Sequence, residues 1–325
     1  MDMHMAGASF GQANRMKLNT TDLDEHLRSH PFKNIVVRQH GQVLWEWHEG
    51  GKDGLGSLYS CTKSILSALV GIAIQEGIFP NVNQPIAPLL PRELLGRARA
   101  GIEEVSLKHL LTMTPGLDWP DFDKPYREMV NQEHPLQYLL ERPFLHEPGS
   151  AYTYNSGGSH LLSYLLSKAA GMSTKAYAVK HLLTRIGIHK SRWSSLDGVQ
   201  EGGTGLLLTA DDLSRFGQLY LQQGSWNGQH IVSESWIKES TAVHHRALSN
   251  YQPPIYGHYG YHWWVSPAAA NGRVDYYFAF GHGGQYLIVI PERQAVVVIR
   301  KKVTTRNDAI RSRELFHEVI WPAIQ

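Results

Sequence analysis

Between Ser64 and Ile74 almost every position is apolar, and Gly71 is the one residue that disfavours a helix. Apolar residues on nearly all sides of a helical period predict a helix buried within the protein rather than laid on its surface. Before it, Thr20-Thr-Asp-Leu-Asp-Glu-His-Leu reads as a short capped helix, acidic in its first turn. Ile35-Val-Val-Arg-Gln and Val43-Leu-Trp-Glu-Trp are β-rich runs joined by His40-Gly41-Gln42, a hairpin.

From about residue 76 to 200 the pattern is helical, punctuated by Pro and Gly: Leu107 to Met113, Leu136 to Leu140, Ser159 to Leu166 and Tyr177 to Leu183. Irregular loops rich in aromatics and carboxylates lie between them, notably Pro115 to Asp123, which suits an inserted helical lobe. Thr209-Ala-Asp-Asp212 caps an amphipathic helix reaching Gln223, the loop Gly224 to Gly228 follows, and another helix starts at Ser233. After Tyr256 the period becomes that of strands: Gly260 to Val265, Val274 to Phe280, Tyr286 to Ile290 and Ala295 to Arg300, an antiparallel meander. Leu315, Phe316, Val319 and Ile320 form one stripe of a terminal helix able to pack on that sheet.

Composition narrows the classes. With 325 residues, 42% hydrophobic and 18% charged, the chain can build a large core as one domain or two lobes. A net charge of +2 and no basic cluster beyond Arg300-Lys301-Lys302 argue against a nucleic-acid partner. One cysteine, Cys61, excludes an internal disulfide and a cysteine-based zinc site, and reads as a small buried packing residue. Met1-Asp-Met-His-Met-Ala-Gly lacks the features of a leader, and no window approaches a membrane span. The expectation is a soluble protein without membrane insertion, cytoplasmic or exported with its leader already removed.

The chemistry gathers at three stations. Ser60-Cys61-Thr62-Lys63 stands at the mouth of the buried helix. Three helical residues turn about 300° and rise about 4.5 Å, which brings the Lys63 amine beside the Ser60 hydroxyl. The helix N-terminus favours an anion at Ser60, and a desolvated Lys63 can be neutral and accept a proton. Ser235-Trp-Ile-Lys238 has the same spacing, but in a polar amphipathic stretch. Second, Tyr152-Thr-Tyr154-Asn155-Ser156 precedes an apolar helix; Tyr154 can relay a proton and Ser156 can donate to substrate, although a core tyrosine before a helix cap gives the same pattern. Third, Gly281-His282-Gly283-Gly284-Gln285-Tyr286 opens a β-run, where backbone can approach a ligand closely and the Gln285 N–H can form half an oxyanion hole with that of Ser60.

Ser-x-x-Lys, Tyr-x-Ser and His-x-Gly in that order resemble the penicillin-recognising serine hydrolases. The likeness is to the branch with class C β-lactamases, D-alanyl-D-alanine carboxypeptidases, family VIII esterases and 6-aminohexanoate-dimer hydrolases. It extends to Leu110 to Trp119, Glu147-Pro-Gly149, Gly202 to Gly217 and Trp226-Asn-Gly228. The resemblance implies an α+β fold of the β-lactamase/transpeptidase type, an antiparallel sheet flanked by N- and C-terminal helices beside an inserted, mainly helical lobe. Residues 1–60 and 200–325 would form the α/β lobe and residues 61–199 the helical lobe, with the active site between. It further implies Ser60 as acyl-forming nucleophile, Lys63 as base and Tyr154 as proton-transfer partner, with either of the two taking the first proton, and Ser60 and Gln285 N–H groups as the oxyanion hole. Ser156, His282, Gly284, Tyr152 and Tyr286 would contact substrate, without cofactor or metal.

Two departures point to the substrate. Ser156 stands where β-lactamases usually carry asparagine, and His282 where they usually carry lysine, the fixed cation for a β-lactam carboxylate. A small ester or linear amide is therefore the expected substrate. The alternatives are a D-alanyl-D-alanine carboxypeptidase, a weak β-lactamase, or a non-catalytic penicillin-binding sensor or scaffold. A metal hydrolase has little support: His26/His30 and His258/His262 share a His-x-x-x-His spacing without a completed ligand set. No Gly-x-Ser-x-Gly elbow of an α/β-hydrolase occurs. Trp119, Tyr152, Trp263, Trp264 and Tyr286 are candidate pocket walls, with Tyr152 and Tyr286 favoured because each adjoins a station. Asp118, Asp121 and Asp123 could bind a cationic substrate group, but are read first as a solvated loop.

Overall fold

The structure is a computed structural model that describes residues 19–120, 123–246, 257–304 and 308–324. The sequence readings of Met1 to Gly7 and of Asp121 lie outside the described residues. Among those described, no helix is long and apolar enough to cross a membrane.

Seven strands form one antiparallel sheet. In chain order they are β1 Phe32–Gln39, β2 Gln42–His48, β3 His258–Tyr259, β4 Trp264–Ser266, β5 Tyr276–Gly281, β6 Gln285–Ile290 and β7 Ala295–Lys301. Their spatial order is β3-β4-β5-β6-β7-β1-β2, so the N-terminal hairpin docks on the last strand of the meander. Register places Val36 opposite Val298 and Val298 opposite Leu287.

Strands β5, β6 and β7 are buried at every position, because both faces of the sheet are covered. This explains their near-continuous apolar runs, aromatic in β5 and rich in Val and Ile in β6 and β7, which a sheet with one wet face would interrupt. Val36, Val296, Val298, Leu287 and Val289 face the larger core, where the helix Ala210–Leu221 packs across β1, β6 and β7. On the opposite face Ile35, Val37, Val297, Ile299 and Ile288 meet Leu23 of the helix Thr20–Ser29 and Leu315, Phe316, Val319 and Ile320 of the C-terminal helix. That helix passes into a π-helical turn over Leu315–Ile320.

The apolar helix runs Thr62–Gln75 and is buried from Thr62 through Ala73. It packs against a second helix, Ser156–Ala170, that Asn155 caps by accepting from the Gly158 N–H at 2.8 Å. Gly71 belongs in its middle for a packing reason: a Cβ there would lie 2.4 Å from the ring of Trp236.

Two segments differ from the sequence pattern. Gly260 to Val265 does not form one strand: Tyr261 and His262 donate instead to the carbonyls of Ser240 and Leu111, at 2.9 Å each. His262 turns there through the left-handed region, φ 58°, so the chain leaves the ladder to tie into the helices. The segment from Gly224 to Gly228 contains part of a hairpin, Ser225–Trp226 paired with Gln229–His230. Asn227 and Gly228 both have positive φ, as a primed turn requires.

Candidate active site

Ser60 lies in a 3₁₀ turn, Tyr59–Cys61, that feeds directly into the Thr62–Gln75 helix. Tyr59 takes φ 47°, an unfavourable backbone for an aromatic residue. Its N–H is satisfied by Ser57 Oγ at 3.3 Å, while the Cys61 N–H bonds the Leu58 carbonyl at 3.1 Å. The turn presses against the end of the β5–β6 hairpin. Gly281 makes the approach possible, since a Cβ there would sit 2.4 Å from the Leu58 oxygen.

Lys63 is 1% exposed, and its Nζ meets three oxygens: Ser60 Oγ at 3.0 Å, Ser156 Oγ at 2.8 Å and the Gly203 carbonyl at 2.7 Å. Burial lowers its pKa to about 8, against the opposing pull of Asp123 and Cys61. As an ammonium Lys63 can donate to all three oxygens; once it gives up a proton, the contacts that can only accept keep its two N–H groups and leave the lone pair for Ser60. The Gly203 carbonyl can only accept, and Ser156 gives its own hydroxyl proton to Asp123. Ser60 is then the partner with a proton to offer the nitrogen lone pair.

Asp123 completes the cluster, and the sequence reading missed it. Its Oδ1 accepts from Trp119 Nε1 and from the Ser156 backbone N–H, both at 2.8 Å, and its Oδ2 accepts from Ser156 Oγ. Burial pushes its carboxyl pKa up, while Lys63 and these donors pull it down. Asp123 takes φ 73° at the foot of the helix Lys124–Met129. Asp123 is thus half-buried rather than a free solvated carboxylate, because its oxygens turn in to Trp119 and Ser156. Asp118 has a different fate, paired with Arg142 at 2.8 Å.

Tyr154 is 6% exposed, with its ring centroid 4.8 Å from Lys63 Nζ and its ring stacked on Trp264 at 5.9 Å. Tyr152 packs edge-on to Tyr259 at 5.2 Å and beside His245. Tyr286 sits in the sheet core against Phe280 and Phe278, at 4.9 and 5.9 Å. Trp263 is buried with Phe216, Tyr220 and Tyr277, whereas Trp264 stands directly behind Tyr154. His282 is exposed at the hairpin tip, edge-on to Tyr59 with ring centroids 5.7 Å apart. The Gln285 side chain bridges to the backbone of Lys301 at 2.8 and 3.1 Å, and its carbonyl accepts from Cys61 Sγ at 3.6 Å. Gly284 bonds within the turn to Gly281 at 3.2 Å, and its carbonyl accepts from Ser312 at 2.8 Å. The structure thus brings together Ser60, Lys63, Tyr154, Ser156 and the start of β6. It sets His282 at the rim and Tyr286 in the core.

Behind the cluster, His262 ties two helices together. Its Nδ1 meets the Lys63 carbonyl and its Nε2 meets Ser159 Oγ, both at 3.2 Å, while Ser64 Oγ donates to its carbonyl at 2.7 Å. Burial lowers its pKa to about 3, so it is a neutral bridge. The second Ser-x-x-Lys, Ser235 and Lys238, is exposed on the helix Glu234–Ser240. Among the described residues no group of three or more His, Cys, Asp or Glu is placed to hold a metal.

Comparison with known proteins adds to this geometry. The sequence model of the beta-lactamase family matches residues 33–319. The 6-aminohexanoate-dimer hydrolase of Paenarthrobacter ureafaciens is 23% identical over 303 residues, 85% of this chain and 74% of that protein. A candidate 6-aminohexanoate-dimer hydrolase from Bacillus anthracis superposes with a TM-score of 0.76 at 21% identity, over 93% of this chain and 81% of that one. EstCE1, a hydrolase with promiscuous acyltransferase activity, superposes with a TM-score of 0.72 at 16% identity, over 93% and 97% of the two chains. The sheet, its flanking terminal helices and the intervening helices are the α+β, β-lactamase/transpeptidase-like fold of these structures.

Proposed function

Since the chain belongs to the beta-lactamase family and is a hydrolase of that family, we propose that it works through an acyl-enzyme on Ser60 and takes a small ester or linear amide as substrate. The observation that carries this reading is the buried Lys63 amine 3.0 Å from Ser60 Oγ, with its other two contacts occupied by groups that accept from it. Lys63 takes the Ser60 proton as Oγ adds to the substrate carbonyl, and the Ser60 and Gln285 N–H groups receive the developing oxyanion. Tyr154, against Lys63 and fixed by Trp264, passes a proton to the leaving group. Water then hydrolyses the acyl-enzyme by the same groups in reverse.

The rim supports the substrate class. His282 is exposed and packs on Tyr59, so it does not supply the fixed lysine charge with which a β-lactamase holds its substrate's carboxylate. The likeness to the 6-aminohexanoate-dimer hydrolases agrees with a linear amide, and that to EstCE1 with acyl transfer in general.

A substrate panel tests the reading: short p-nitrophenyl esters, a chromogenic cephalosporin, D-alanyl-D-alanine peptides and 6-aminohexanoate dimer, each with wild type and Ser60→Ala. Ester hydrolysis is expected in wild type, cephalosporin turnover is weak, and both are lost in the variant. Activity that survives Ser60→Ala removes the nucleophile assignment.

A further inference from the structure

Within the serine hydrolase proposed above, we infer that Asp123 is a positioning residue: by taking the Ser156 hydroxyl proton it fixes the polarity of the Asp123, Ser156, Lys63, Ser60 chain and so turns the Lys63 lone pair toward Ser60. The inference starts from hydrogen-bond capacity. A hydroxyl has one proton, and Ser156 Oγ lies between a carboxylate oxygen and an amine. A carboxylate can only accept, so the proton goes to Asp123 and Ser156 accepts from Lys63. Were the proton turned the other way, Ser156 and Ser60 would compete for the same lone pair.

Asp123 is held for this task. Trp119 Nε1 and the Ser156 N–H fix Oδ1, leaving Oδ2 for the Ser156 hydroxyl. With all three donors supplied by the protein, the carboxylate is committed to the chain and not to a substrate group. Asp123 also acts on Lys63 by charge. The other titratable groups around the pair are Cys61, the Tyr154 ring, His262, and Tyr126 and Tyr259 on the Asp123 side. Burial keeps Cys61, Tyr126 and Tyr259 protonated and His262 unprotonated, so all four are neutral near pH 7. Asp123 is the carboxylate whose field reaches Lys63 among the described residues.

The test is the pH profile of kcat/KM for a p-nitrophenyl ester in wild type, Asp123→Asn, Ser156→Ala and the double variant, with thermal melts alongside. In Asp123→Asn the ammonium loses its counter-charge, so the acid limb is expected to move about one pH unit lower. The amide can now donate to Ser156 and reverse the chain, so the plateau falls by about 10- to 100-fold. In the Ser156→Ala background the same substitution no longer lowers the plateau, because the chain is already broken. An acid limb that stays in place in a folded Asp123→Asn protein, or plateau losses that multiply independently, overturns the inference. If Asp123→Asn does not fold, Ser156→Ala decides alone: a lower acid limb supports the chain and an unchanged limb overturns it. A wild type without Ser60-dependent hydrolysis would instead remove the parent reading, so the two failures are distinguishable.

Discussion

A lysine buried to 1% exposure must be neutral, paired, or both, and Lys63 is provided for in each way. Its pKa of about 8 predicts the pH dependence of turnover. In the proposed role of base Lys63 must be unprotonated, so kcat/KM should rise about tenfold per pH unit below about pH 8 and level off above it. Rates on a p-nitrophenyl ester from about pH 6 to about pH 10 check this. Lys63→Arg keeps the charge and cannot give it up, so it should cost about 10²- to 10⁴-fold at every pH. At this scale the sequence was partly legible. Ser60 lies in the 3₁₀ turn that runs directly into the Lys63 helix, so spacing alone relates them. Asp123 was not legible because two neighbouring carboxylates look alike in sequence and part ways in space: Arg142 claims Asp118, whereas Trp119 and Ser156 claim Asp123. Ser156 lies 33 residues further on, and no local pattern announces that meeting.

The elements were read more completely, since strand and helix periods are written locally in burial. β1, β2, β5, β6 and β7 and the Thr62–Gln75 helix all follow from alternation or from unbroken apolar runs. The segment from Gly260 to Val265 did not follow, because helix carbonyls compete for its N–H groups and win. One contact between elements carries a prediction. The Tyr59–Cys61 turn seats on β5 only because Gly281 has no side chain, so Gly281→Ala should push the turn away by forcing its Cβ against the Leu58 oxygen. The expected cost is about 1–3 kcal/mol of stability, with kcat falling more than KM changes. Urea unfolding and steady-state kinetics of the folded variant measure both; an unchanged melt with full activity would show that the turn yields without consequence.

For the whole molecule, burial of histidine sets the acid limit. His160 is fully buried and His262 is 2% exposed, with pKa values lowered by burial to about 4 and about 3. In the unfolded chain each titrates near its ordinary 6.5, so between that value and the folded pKa the unfolded state binds the extra proton. Their contribution to stability is complete above pH 6.5 and is lost as pH falls toward 4 and 3, at about 1.4 kcal/mol per pH unit for each. Thermal melts should drop steadily from neutral to mildly acid pH, and His160→Leu should flatten that slope. An equal slope in the variant would assign acid loss to other groups. The α+β architecture was expected from the family resemblance, and the stripe of the terminal helix and the period of the meander agree with it. The clustering around Lys63 was not, since Gly203 joins it from 140 residues away. The sole cysteine bears on how the molecule can be handled. Cys61 is fully buried, and burial drives its thiol far from ionisation, so thiol reagents have neither access nor a thiolate to attack. A single cysteine introduced at the exposed hairpin tip, as in His282→Cys, would then carry a fluorophore or spin label without background, reporting on events near Tyr59 while the native sulfur stays silent.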